Sequence, residues 1–362
     1  MRERQSNIEL LRIICMFMIV AHHFATNVWY PGMAHVQTPA STGEAVVLLM
    51  HCFFFIGVNC FVLISGYFSI KTSLRGFIHL YGFYAFYALL IALSQYFYDA
   101  QYVGMQLSEK CFHIAVHSLM PWDNNNFWFL NAYLGLFMMA PILNAAIGSL
   151  TKPVYVRVLV LLTILNVVFG GFFSIDLLNT WGFCVAQFVY LYMIGGYIRK
   201  FVYIESIQVH RWHSIGVYVI SAVIWGIFVA IQVYQFPFLG RFFKAFAYNN
   251  VFVLLAAVGF FLFMLSFDIK NRVINWFSSS CLAAYLLQGS VVPYSWYMGV
   301  LEKYPPLQNP CQILFVSASF LIIALLFDKI RILMVQPLKI LSDRYVPKFE
   351  MKINRLYEKF SK

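Results

Sequence analysis

The feature that most restricts this chain is a succession of ten apolar runs, each of about 18 residues or more. They lie near residues 8–28, 45–69, 76–98, 127–148, 154–175, 180–198, 214–235, 247–267, 277–300 and 311–334. Wound as a helix, a run of that length matches the hydrocarbon core of a bilayer, and a helix satisfies its own backbone N–H and C=O groups there. The expected fold is therefore all-α: a polytopic transmembrane helical bundle of about ten spans, with residues 1–336 forming one transmembrane domain. Composition agrees, because charged residues make up 11% of the 362, against roughly 25% in soluble domains. The first run lacks a small-residue cleavage site behind it and many more runs follow, so it reads as a retained helix.

The net charge of +11 would suit a nucleic-acid partner, but its placement argues against one. With the N-terminus inside, all of the 25 Lys and Arg except Lys110, Arg241, Lys244 and Lys303 fall on the cytoplasmic side or its margin. An even number of spans then puts both termini in the cytoplasm, in a multi-pass protein of the cell membrane. In residues 337–362, Phe349, Ile353, Leu356 and Phe360 recur at helical spacing among Lys348, Lys352, Arg355 and Lys359. That pattern describes a basic amphipathic cytoplasmic tail lying on anionic membrane lipids, or a solvated helix with a weak apolar face. The seven cysteines are scattered without metal-ligand spacing and imply no disulfide framework.

Against this background the first run is unusual, since "RQSNIELLRIICMFMIVAHHFATN" (residues 4–27) carries Glu9, Arg12, His22 and His23. Ionisable groups inside a span normally face the bundle interior or a water-filled cavity and mark function. Arg12 and His23 are eleven positions apart, close to three turns, so they share a face about 16 Å apart along the axis. Glu9 at i−3 from Arg12 and Asn27 at i+4 from His23 extend the same stripe, and His22 is rotated away from it. The alternatives are that Arg12 snorkels to the inner headgroups and that a histidine makes only an interhelical hydrogen bond.

The sequence "IELLR" followed by ten residues and then a histidine resembles the opening motif of acyltransferase family 3, membrane proteins that O-acylate surface carbohydrates. The resemblance puts the family arginine on Arg12, its essential histidine on His23, and Glu9 where many members carry Asp. Three further segments are similar in the same order. "GVNCFVLISGYFSIK" matches the end of the second helix, with Ser65, Gly66 and Tyr67. "NNNFWFLNAYLGLFMMAPILN" matches the aromatic-led fourth, with Trp128 and Tyr133. "NWFSSSCLAAYLLQGS" matches the ninth, with Gln288 where many relatives have a histidine. Gln hydrogen-bonds but cannot accept a proton near neutral pH, so His23 is the single base matched by motif. The resemblance also places basic residues at Lys71 and Arg75.

Together these imply a membrane O-acetyltransferase with acyl-CoA, most simply acetyl-CoA, as donor substrate, no permanently bound cofactor and no metal. The acceptor would be a cell-surface or lipid-linked carbohydrate. His23, Arg12 and Glu9 are the expected catalytic set; Arg12, Arg75 and Lys71 would meet donor phosphates; Ser65, Tyr67, Trp128, Tyr133 and Gln288 would line the substrate path. Tight packing for Ser65, interfacial belts for Tyr67 and Trp128, and ordinary positive-inside charge for Lys71 and Arg75 are the plainer alternatives. His51 could face His23 or hydrogen-bond between helices, His113 and His117 share a helical face, and Asp123 and Asp176 could contact a sugar. The rival function is a multi-pass transporter or flippase for a glycan, lipid or anion; against it stands the absence of an inverted repeat in the sequence.

Overall fold

The computed structural model describes residues 4–29, 42–98, 102, 104–120, 127–172, 181–232, 246–288 and 310–360, and among them there is no β-strand. In chain order the helices are α1 (Ser6–Trp29), α2 (Thr42–Phe54), α3 (Gly57–Phe68), α4 (Leu74–Tyr98), α5 (Leu107–Leu119), α6 (Trp128–Ser149), α7 (Lys152–Thr163), α8 (Val185–Phe201), α9 (Ile204–Val209), α10 (Arg211–Ala230), α11 (Val251–Leu265), α12 (Arg272–Ser278), α13 (Cys281–Gln288) and α14 (Pro310–Phe360). Among the described residues, seven stretches are long and apolar enough to cross a membrane: Ser6–Ala25, Val46–Phe68, Leu74–Phe97, Trp128–Ser149, Lys152–Gly171, Arg211–Ala230 and Pro310–Lys352.

The runs expected at 180–198, 247–267 and 277–300 carry shorter helices, for identifiable reasons. Trp181 and Gly182 adopt positive φ of 58° and 86°, so helix α8 starts only at Val185. Tyr248 N–H donates to the Trp181 carbonyl at 2.9 Å, which takes this apolar stretch out of helix as well. The Tyr248 carbonyl then accepts from two buried amides, Asn59 Nδ2 at 2.9 Å and Gln187 Nε2 at 3.1 Å. Irregular backbone in a membrane protein survives where protein groups satisfy it in this way. Helix α11 begins after Asn250 caps it by accepting from Phe252 N–H. The third run splits into α12 and α13 at Ser279 and Ser280, while residues 289–300 lie outside the described set.

Helix α7 continues into a π-helix over Ile164–Phe172. Asn249 Nδ2 donates to the Asn166 carbonyl at 2.9 Å, and a side chain inserted into the ladder is a recognised cause of such widening.

Helices α3 and α8 cross closely enough to leave no room for a side chain between their backbones. A Cβ on Gly66 would sit 2.2 Å from the Tyr192 carbonyl oxygen, and one on Gly195 would sit 2.4 Å from that of Leu63. Just beyond this crossing Tyr192 Oη accepts from Ile70 N–H (2.8 Å) and donates to Asn144 Oδ1 (2.7 Å), and Asn144 Nδ2 donates to the Ile70 carbonyl (2.9 Å). This network fixes the segment joining α3 to α4.

Helix α14 runs through Pro337 without interruption and pins its far part to the start of α4. Glu350 accepts from Leu74 N–H at 2.9 Å, and Asp343 pairs with Arg75 at 2.7 Å. Phe349 is exposed; the side chains of Ile353, Leu356 and Phe360 lie outside the described residues.

Candidate active site

Helix α1 is enclosed by α2, α3, α11, α12, α13 and α14, so its polar stripe must meet protein groups. His23 Nδ1 lies 2.9 Å from Gln288 Oε1, and Gln288 Nε2 donates to the Val20 carbonyl at 3.0 Å. The Gln288 side chain is buried at the end of α13. Gln288, expected from the sequence to line the substrate path, therefore touches the motif histidine directly.

His22 does point elsewhere. Its Nδ1 meets Nδ1 of the fully buried His51 at 2.5 Å, with the two rings perpendicular and 4.4 Å apart. His51 thus makes an interhelical hydrogen bond with His22. The rings of His22 and His23 are 5.5 Å apart.

Aromatic rings lead away from this cluster in close steps. Phe55 lies 5.1 Å from His22, Tyr248 stacks on Phe55 at 4.4 Å, and Trp128 lies 5.5 Å from Tyr248. Trp128 also packs against Phe183 at 4.6 Å, so it belongs to an internal aromatic cluster and not to a lipid-facing belt alone. Tyr133 stacks over Phe129, and its hydroxyl accepts from Ser65 Oγ at 3.5 Å. Ser65 Oγ also donates to the Phe61 carbonyl at 3.0 Å, so helix packing accounts for its contacts here.

At the other end of the stripe, Arg12 Nη1 is 4.0 Å from Glu9 Oε2, and the same carboxylate oxygen accepts from Ser278 Oγ at 2.5 Å. The expected Glu9–Arg12 pair exists, but Ser278 holds the carboxylate more closely. Arg12 keeps donor capacity: its Nε is buried with no hydrogen-bond partner among the described residues.

Tyr67 and Lys71 come together in a recess of about 490 Å³, whose wall also includes Ser69, Asn144 and Arg199. Arg199 lies over the Tyr67 ring at 5.2 Å, and its Nη1 donates to Tyr67 Oη at 3.3 Å. Tyr67 meets Phe261 at 5.6 Å, one helical turn from Met264, whose carbonyl accepts from Asn7 Nδ2 at 3.1 Å. The recess and the start of α1 are therefore at one end of the bundle. Arg75 does not line the recess; Asp343 engages it, with His79 3.5 Å from the same oxygen.

Sequence reasoning gave Arg199 only a topological meaning and did not single out Asp328. The latter is fully buried, accepts from Tyr87 Oη at 2.7 Å and pairs with Arg331 at 2.5 Å. Its signal was available, since Asp328 and Arg331 stand at i,i+3 beside an apolar run. The rings of His113 and His117 stack 6.3 Å apart, with Tyr96 against both. Asp123 and Asp176 lie outside the described residues, as does the side chain of Asn27.

Comparison with known proteins adds one finding. No curated protein and no solved structure matches the chain. The sequence model of the acyltransferase domain family matches residues 5–329, which takes in every helix described above except the far part of α14. With the match covering most of the sequence, the chain belongs to acyltransferase family 3, an integral membrane family of acyl-transferring proteins.

Proposed function

We propose that this protein is an O-acyltransferase of the cell membrane, with both termini cytoplasmic, that moves an acyl group, acetyl in the simplest case, from acyl-CoA to a hydroxyl of a cell-surface or lipid-linked carbohydrate. The observation that carries the reading is the stripe on α1: a guanidinium with unfilled donor capacity at one end and a hydrogen-bonded imidazole about three turns away, inside a family acyltransferase domain.

His23 acts as general base. Its imidazole takes the proton of the acceptor hydroxyl as that oxygen attacks the thioester carbonyl carbon. The tetrahedral intermediate then collapses with cleavage of the C–S bond, the imidazolium returns its proton to the departing thiolate, and free CoA leaves. Assistance of this kind is worth roughly 10²–10⁴-fold in rate.

Arg12 and Lys71 receive donor phosphates, Arg199 adds a third cation beside Lys71, and Glu9 steadies Arg12. Helix α3 supports this division geometrically. Gly57 packs on Cys15 and Ile19 of α1, and Tyr67 at the recess lies ten residues, or about 15 Å, further along α3. A ligand with its charge at one end and its reactive carbonyl on a long arm fits that separation. The aromatic series from Phe55 to Trp128 offers faces on which a sugar ring stacks.

Two interrupted spans, α2–α3 and α12–α13, pack on α1, and transporters also build sites at such breaks. Thioester cleavage separates the two readings. Purified protein in vesicles, given acetyl-CoA and a glycan acceptor, releases free CoA and gains an alkali-labile acyl group on the glycan. Transport of a glycan or anion without CoA release would instead establish the transporter.

A further inference from the structure

We infer that Gln288 is a positioning residue that sets the tautomer of His23, placing the ring hydrogen on Nδ1 and the basic lone pair on Nε2. The proposal rests on the reading of His23 as the general base and adds which nitrogen does the work and what determines it.

The amide of Gln288 has one donating end and one accepting end, and its surroundings permit a single orientation. The Val20 carbonyl can only accept, so the group facing it at 3.0 Å is the NH2. The amide oxygen therefore faces His23, at 2.9 Å from Nδ1. An amide oxygen can only accept, so Nδ1 must carry the hydrogen. A neutral imidazole protonated at Nδ1 has its lone pair on Nε2, the nitrogen on the opposite side of the ring.

The device is rigid. Val20 and His23 are three residues apart on α1, so one amide ties the backbone and the side chain of a single helical turn. Gln288 is buried at the end of α13, whose side chains from Ala283 to Leu287 are buried too. His22 and His51 face each other through two identical Nδ1 atoms, either of which can donate, so that pair does not choose a tautomer by itself. It follows that a histidine at position 288 is not needed as a second base for His23 to work. An amide fixes the tautomer while adding no group that exchanges protons near neutral pH.

The test uses the full-length protein with ¹⁵N-labelled histidine, because the two neutral tautomers have distinct ¹⁵N shift patterns. The His23 signal is identified by its loss in His23→Ala. We expect the wild-type signal to be the Nδ1–H form, and Gln288→Leu to move it to a mixture or to Nε2–H. The same variant should lower kcat about 100-fold with KM for acyl-CoA unchanged. Gln288→Glu keeps an acceptor toward Nδ1 and should restore both the Nδ1–H signal and kcat to within about tenfold. A wild-type signal of the Nε2–H form overturns the proposal whether or not Gln288→Leu folds, and so does an unchanged kcat in Gln288→Leu. Full activity in His23→Ala would instead remove the underlying reading of the base, while the tautomer result would stand separately.

Discussion

The two ends of the stripe on α1 are built from opposite materials. At the His23 end the groups are neutral and directional: an imidazole, an amide whose two ends are assigned by their partners, and a backbone carbonyl. At the Arg12 end they are charged and incompletely paired, with Glu9 at the limit of ion-pair distance and a buried guanidinium nitrogen without a partner among the described residues. Neutral, ordered groups suit proton transfer, whose rate depends on orientation; a cation with spare donors suits recognition of an anion, whose affinity depends on charge. On the proposed function, the same helix would separate chemistry from charge recognition by about three turns.

Replacing His23 should break this division most completely. His23→Ala is expected to lower kcat by roughly 10²–10⁴-fold, to background in practice, while acyl-CoA binding persists. Isothermal titration and CoA-release assays on the purified variant check both halves, and full turnover would remove His23 from the mechanism. Arg12→Ala should produce the converse pattern. Loss of a charge-assisted contact to phosphate is expected to raise KM for acyl-CoA roughly 10–100-fold with kcat within about threefold. If kcat falls and KM holds, Arg12 acts at the reacting carbonyl and the two ends are not separate in function.

Arg199→Ala sharpens the charged side of the comparison with a smaller effect. Arg199 is exposed, so salt screens it, and an increase in KM of about 5- to 20-fold is expected at low ionic strength. The increase should shrink as salt is raised, as a shortfall in surface charge requires. A KM insensitive to both substitution and salt would detach the Tyr67–Lys71 recess from donor binding.

How much of this was legible follows the same physical line. The helical class and the stripe are one-dimensional properties, set by run length and by the 100° turn per residue, and both are present in the structure. His22 was correctly separated from His23 by that turn alone. The partners of the stripe were not legible, because they come from residues far away in sequence: Ser278 and Gln288 reach α1 only through packing. Helix length is shorter than the apolar run at two places, 180–198 and 247–267, for a related reason. Apolar composition cannot distinguish a helix from buried irregular backbone, and around Tyr248 the deciding groups are Asn59 on α3, Gln187 on α8 and the Trp181 carbonyl. Arg199 was hidden by a rule that is true of every cytoplasmic-side cation and so says nothing about any one of them.

The smallest effect on rate is expected at the residue next to the base. His22→Ala removes one partner of a buried hydrogen bond and leaves His51, which is fully buried, without it. The cost of such a loss is about 1–3 kcal/mol in stability, from desolvation of the remaining polar group. It falls on α1–α2 packing and not on the Gln288 bridge, so kcat should change by about threefold or less while the melting temperature drops measurably. Thermal unfolding and CoA release on one preparation read the two quantities together. A variant of unchanged stability with a hundredfold lower kcat would mean that His22 exchanges protons with its neighbour across the 5.5 Å between their rings. In that case the working unit is the three-histidine cluster with Gln288, and the distinction between the two adjacent histidines is one of degree.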